Sequence, residues 1–283
     1  MSLIRIHIEG SIDMHHIFVM KFSCFLNPWA GDIGRGGFSN MWYSFVKDEH
    51  SDVPLSREEC ESRYKTYLYS DARMKVKFAA FEKIFLPSLI GPNSERRDWT
   101  LFIFVTVDQM PAGHLERLKA SVAHVPQIKI VNLLRVPYDD NEYIEYVEDR
   151  CKAYDKWSVI WLGDDDAINP RHLDLVAAEA ATRDAPFIYT MPNLQYVSFD
   201  SSFNIVKGPI KRYPSVHGLA LTGVGVNPMR LPIHYNIPKL CPDLPIVYNE
   251  DEIGGLLFCD ETFTASRRNL EGQHSRAFKG DSY

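Results

Sequence analysis

Three consecutive carboxylates, Asp164, Asp165 and Asp166, follow the apolar run Trp157-Ser158-Val159-Ile160-Trp161-Leu162 with only Gly163 between them. Like charges gathered at one point call for a cation. A divalent metal ion, Mn²⁺ or Mg²⁺, takes oxygen ligands from one or two carboxylates and fills its remaining positions with phosphate oxygens and water, so the group could hold a diphosphate. The plainer alternative is a solvated turn in which Asp165 or Asp166 helps start the next helix.

A second acidic group, Asn249-Glu250-Asp251-Glu252, precedes the apolar stretch Ile253-Gly254-Gly255-Leu256-Leu257-Phe258. Read alone, it caps the start of a helix, where free amides and the macrodipole favour negative charge. His217, which precedes a glycine and an apolar strand, is a candidate metal ligand, and a hydrogen-bonded structural role explains it about as well. Gly34-Arg35-Gly36-Gly37 has neither of the phosphate-loop spacings and reads as a flexible turn. Lys207, Lys211, Arg212, Arg267 and Arg268 carry charge that could meet a diphosphate, with a solvated surface as the default for each.

The elements that must position these groups alternate. Ile17 to Leu26 is rich in strand formers, and Trp99 to Val107, Ile128 to Asn132 and Trp157 to Leu162 read the same way. Between them, Met74, Phe78, Phe81 and Phe85 recur on one helical face that ends at Leu86-Pro87, and helices are expected from Pro111 to about Ala123 and from about Glu142 to Tyr154. A further helix is expected from Pro170 to about Thr182. Strand alternating with helix at this spacing predicts an α/β fold with a mostly parallel sheet, in which ligands bind beyond the carboxyl ends of the strands. That is where the triplet falls. After Phe187 the segments Phe187-Ile188-Tyr189-Thr190, Gln195 to Phe199, Phe203 to Lys207 and Leu219 to Val226 are short, and predict a smaller region of antiparallel hairpins.

A chain of 283 residues with 45% hydrophobic composition can bury the core of one α/β domain. A net charge of −6 argues against nucleic acid as a partner, since binding a phosphate backbone needs a clustered basic surface. The five cysteines are scattered without metal-site spacing and read as reduced thiols. No apolar run reaches the ~20 residues of a membrane-spanning helix, so the expectation is a cytoplasmic protein, with peripheral membrane association through a partner or a lipid substrate left open.

The chain resembles GT-A fold glycosyltransferases that use nucleotide sugars, and more narrowly the bacterial family of "putative rhamnosyltransferases". The resemblance is carried by Lys21-Phe22-Ser23, by Tyr67 to Met74, by Phe78 to Leu89, by the aspartate cluster and by Gly272-Gln273-His274-Ser275, across residues 17 to 278. Lys21 and Lys77 stand where that family more often has arginine, which keeps the charge and loses the planar fork.

The resemblance implies a single GT-A-like domain, with a nucleotide-sugar part at about 17–186 and an acceptor part at about 187–283. It implies metal-dependent sugar transfer to a glycan or other hydroxyl acceptor, with Asp166 on Mn²⁺ or Mg²⁺ and Asp164 on the ribose or a metal-bound water. Asp165 is the uncertain member, Arg73 is a candidate for diphosphate contact, and His274 is expected in the metal shell. Asp251, with Glu250 as the alternative, would be the general base of an inverting transfer. A sugar nucleotidyltransferase is the competing enzyme, although Lys21 to Pro28 contains no glycine to form the loop such enzymes use. A non-catalytic carbohydrate-binding member of the fold is the other alternative.

Overall fold

The computed structural model describes residues 14–24, 57–134, 140–212, 220–231 and 237–258. Four parallel strands form its centre: β1 (His15–Lys21), β2 (Trp99–Val105), β3 (Ile128–Asn132) and β4 (Trp157–Trp161), in the spatial order β3-β2-β1-β4. Alternate residues of β1 serve opposite faces, as the pleat requires. Phe18 and Met20 pack with Met74, Phe78, Phe81 and Phe85, while Ile17 and Val19 pack with Tyr143, Ile144 and Val147. The sheet is therefore covered on both sides, which is why its strands read as nearly continuous apolar runs.

The covering helices are α1 (Arg57–Leu68), α2 (Asp71–Ala80), α3 (Leu86–Asn93), α4 (Ala112–Val122) and α5 (Asp140–Cys151). The expected stop at Leu86-Pro87 is not there. A π-helical turn, Phe81–Phe85, joins α2 to α3, the Leu86 amide donates to the Phe81 carbonyl, and Pro87 falls in the first turn of α3, where a missing amide costs little. Helix α1 is not legible in the sequence, because half of its residues are charged and it carries little hydrophobic periodicity.

Beyond β4 the large sheet continues through β9 (Leu221–Val224), β6 (Phe187–Thr190) and β10 (Ile246–Tyr248), in the order β10-β6-β9-β4-β1-β2-β3. Strand β9 is antiparallel to both neighbours, and β6 and β10 point the same way as β4. The described residues also form the helices α6 (His172–Ala180) and α7 (Ile237–Leu240) and a 3₁₀ turn at Pro228–Arg230. This is the α/β class with a mostly parallel, helix-flanked sheet that the sequence predicts. The hairpin expectation holds only in part, since β6 and β9 join the large sheet.

A second sheet has the order β5-β11-β7-β8, from β5 (Ala167–Ile168), β11 (Ile253–Phe258), β7 (Asn193–Phe199) and β8 (Ile205–Arg212). Here the expected helix from Ile253 is corrected to a strand. Gly254 and Gly255 weaken a helix, and a Cβ on Gly254 would meet the Met191 carbonyl oxygen at 2.4 Å, a backbone approach only glycine permits. Pairing with β7 on one side and β5 on the other then holds the segment extended.

Candidate functional site

Successive strands step from β1 outward to β2 and β3, and β4 returns on the other side of β1. This reversal falls at the carboxyl ends of β1 and β4, the place where open α/β sheets take their ligands. Asp164, Asp165 and Asp166 lie there, because they link β4 of the large sheet to β5 of the small one.

Each aspartate is held differently. The Lys77 ammonium donates to Asp164 Oδ1 in a buried ion pair, with the two side chains 7% and 6% exposed. Asp164 Oδ2 is buried and finds no hydrogen-bond partner among the described residues. Asp166 Oδ1 accepts the Phe258 amide at 3.0 Å, so this carboxylate fastens β11 to the end of β4. Its other oxygen points elsewhere. A Cβ placed on Gly163 would lie 2.8 Å from Asp166 Oδ2 and 2.9 Å from Asp165 Oδ1, so two carboxylate oxygens converge beside a residue with no side chain to separate them.

Burial raises the Asp165 carboxyl above the ordinary carboxylate range, and neighbouring Asp164 adds to this against the pull of Lys77 and Arg73. Burial, followed by Asp165, raises Asp166 well above that range. Crowded, desolvated carboxylates are short of positive charge.

Helix α2 supplies two cations one turn apart, Arg73 and Lys77, and both act on the Asp165 carboxyl. Arg73 Nη1 donates to Ser23 Oγ at 3.2 Å and to the Leu68 carbonyl at 2.6 Å. Ser23, just past β1, has a φ of +47°, an uncommon conformation for a residue with a side chain. Tyr69 steadies it by donating to the Ser23 carbonyl at 3.0 Å, with its hydroxyl also 3.2 Å from Thr106 Oγ1. Lys21, at the end of β1, lies over the Tyr143 ring at 4.2 Å and the Trp161 ring at 5.8 Å. Cys24 is not a nucleophile here: burial pushes its thiol up to about 12, and Sγ donates to the Phe104 carbonyl.

The structure brings Asp164, Asp165, Asp166 and Arg73 together. It keeps Glu250 and Asp251 apart from them. Glu250 is exposed and paired with Arg212 at 2.6 Å, and Asp251 is exposed with its amide on Asn249 Oδ1 at 3.2 Å. Both precede β11, whose far end meets Asp166, and Ile253 to Phe258 spans roughly 16 Å of extended chain. Neither acid caps a helix. His274, His217, Gly34 to Gly37, Arg267 and Arg268 lie outside the described residues.

Lys77 is the site residue whose role sequence reasoning missed. A lysine at the edge of the Met74-Phe78-Phe81 stripe was the available signal, since a buried ammonium needs an anion.

Among the described residues no three His, Cys, Asp or Glu side chains are grouped as a ready-made metal site. The donors that converge are two carboxylate oxygens beside Gly163, with the partnerless Asp164 Oδ2 in the same triplet. This hard oxygen set fits Mg²⁺ or Mn²⁺ bound through one or two carboxylates with substrate phosphates and water completing the shell.

The chain aligns with several solved structures. They include a "putative nucleotide-diphospho-sugar transferase" from Desulfovibrio desulfuricans G20, at 12% identity, over 95% of this chain and 91% of that one, with a TM-score of 0.37. An inositol-1-phosphate CTP transferase from T. maritima aligns at 10% identity over 96% and 100% of the two chains, with a TM-score of 0.33. A "putative glucose-1-phosphate thymidylyltransferase" from Bacillus anthracis aligns at 10% identity over 95% and 97%, with a TM-score of 0.36. No curated relative matches the chain. Residues 52–186, which carry Arg73, Lys77 and the three aspartates, match the family model described as "Putative rhamnosyl transferase", the same family the sequence motifs resemble.

Proposed function

We propose that this protein is a divalent-cation-dependent transferase that moves a sugar from a nucleotide-diphosphate sugar to a hydroxyl acceptor. The observation that carries this reading is that Asp165 Oδ1 and Asp166 Oδ2 both lie within 2.9 Å of one point beside Gly163, at the carboxyl edge of the sheet, with Arg73 and Lys77 on the adjoining helix. The family match over residues 52–186 supports it.

In this reading Asp165 and Asp166 hold the cation, with His274 as a proposed further ligand. The bound cation supplies charge neutralisation for the leaving diphosphate. Lys77 fixes Asp164 through Oδ1, which leaves Oδ2 to accept from a ribose hydroxyl or a metal-bound water. Arg73, oriented by Ser23 and Leu68, contributes positive charge for the phosphates. Asp251 is the proposed base for the acceptor hydroxyl, on the resemblance of Glu250-Asp251 to the acidic pair of inverting GT-A enzymes.

Isothermal titration with a panel of nucleotide-diphosphate sugars, with Mn²⁺ and with chelator, tests the reading. Donor binding only with the metal, followed by slow release of the nucleoside diphosphate, is the expected result. Equal affinity in chelator overturns it, and release of pyrophosphate from a nucleoside triphosphate and a sugar phosphate identifies a nucleotidyltransferase instead.

A further inference from the structure

We propose that strand β8 is the surface by which this protein docks on an anionic lipid bilayer. All eight residues of Ile205–Arg212 are exposed, although the strand is rich in aliphatic side chains. Ile205, Val206 and Ile210 are 40%, 47% and 55% exposed. The pairing with β7 shifts register between Lys207 and Ile210, so Ile205, Lys207, Ile210 and Arg212 share the face of Phe199, Val197, Gln195 and Asn193, while Val206 and Lys211 share the face of Ser198 and Leu194. The ribbon thus presents aliphatic groups on both faces and ammonium groups beside them.

A protein groove would cover one face of such a ribbon and leave the other wet. An interfacial layer of headgroups and acyl chains surrounds both. Pairing with a second copy is disfavoured for a different reason: among the described residues β8 ends its sheet, and it carries Pro209, Lys207 and Lys211, features that block strand addition at an edge.

Charge selects the kind of bilayer. The chain has 37 acidic residues and a net charge of −6, yet residues 201–242 contain no Asp or Glu and five Lys or Arg, of which Lys207, Lys211 and Arg212 lie on β8. At the turn that leads into β8, Lys75 lies over the Phe203 ring at 5.0 Å and Lys83 donates to the Phe203 carbonyl at 3.1 Å. Two acids answer this surface locally: Asp200 closes the turn through the Ser202 and Asn204 amides, and Glu250 pairs with Arg212. Lys207, and Lys211 from its place over the Tyr196 ring at 5.5 Å, carry the charge that would meet lipid phosphate. Basic side chains beside an anionic leaflet each add about 1 kcal/mol of attraction, which salt weakens. The remainder of an acidic molecule is repelled, so docking through β8 also sets orientation.

No helix of the described residues is long and apolar enough to cross a membrane, so attachment of this kind would be reversible. The inference does not depend on the transfer chemistry proposed above. It places that site near the bilayer, because β8 is two strands from β11, whose Phe258 amide holds Asp166.

Cosedimentation of the full chain with vesicles tests it, using phosphatidylcholine alone and phosphatidylcholine mixed with phosphatidylglycerol, at low and high salt. Binding to the mixed vesicles alone, weakened by salt, is expected. Lys207→Glu with Lys211→Glu is expected to lower that binding roughly ten-fold or more, and Ile205→Ser with Ile210→Ser to lower it by a similar factor, with thermal unfolding unchanged for both pairs. Equal binding to neutral vesicles, full binding by either double variant, or no vesicle binding at all overturns the proposal. So does a dimer in light scattering that both variants dissolve, which would make a second copy the occupant.

Discussion

The Lys77 ammonium and the Asp164 carboxylate, 87 residues apart in sequence, form a buried ion pair that joins helix α2 to the end of β4. Neither group has bulk water to fall back on. Removing one partner leaves the other as an uncompensated buried charge, so Lys77→Met is expected to destabilise the protein by about 3–5 kcal/mol in urea unfolding. Lys77→Met combined with Asp164→Asn should recover much of that loss, and an unrecovered double variant would show that Lys77 stabilises through other contacts.

Asp166 has two duties that one substitution can separate. Asp166→Asn retains an oxygen for the Phe258 amide but removes the charge, so metal-dependent donor binding should disappear in titration calorimetry while the fold persists. Asp166→Ala also loses the strand contact and should be the less stable of the two.

The pH dependence of the same variant has a definite sign. The folded Asp166 carboxyl sits well above its ordinary value of 3.8, so as pH rises above about 4 the unfolded chain gives up this proton first and stability is lost. Metal-free Asp166→Asn should therefore match the wild type near pH 4 and exceed it at pH 7 by urea midpoint. Equal midpoints at both values would remove the claim that this carboxylate is short of positive charge.

Gly163 matters for the space it leaves. In Gly163→Ala the new methyl group meets the ends of two flexible carboxylates, which can rotate away. Stability should change by less than about 1 kcal/mol, while Mn²⁺-dependent donor affinity falls by about ten-fold or more as the oxygens are pushed apart. Gly254→Ala should do the opposite, because its contact is the Met191 backbone, and the loss should show in thermal unfolding.

Two buried histidines set the acid limit. Burial holds His16 down to about 3 and His172 down to about 4, with His16 Nδ1 2.8 Å from Ser158 Oγ and His172 Nε2 2.9 Å from Thr222 Oγ1. Both are neutral when folded, and the unfolded chain binds their protons below 6.5, so stability falls as pH drops from 6.5 toward 4, by about 3 kcal/mol for each. His172→Gln should flatten that limb in urea midpoints measured across the window.

The apolar runs, their spacing and the Met74-Phe78-Phe81-Phe85 stripe determined by themselves an α/β chain with a covered parallel sheet and an acidic triplet at a strand end. These signals are local, because burial imposes a period on each segment separately. Only the tertiary structure decided that Lys77 answers Asp164, that Phe258 reaches Asp166, that β9 runs antiparallel within the large sheet, and that Ile253–Phe258 is extended. Each of these depends on a partner far along the chain. A strand takes its identity from the backbone hydrogen bonds its neighbours supply, and a buried charge takes its role from the ion placed against it, neither of which a short window of residues contains.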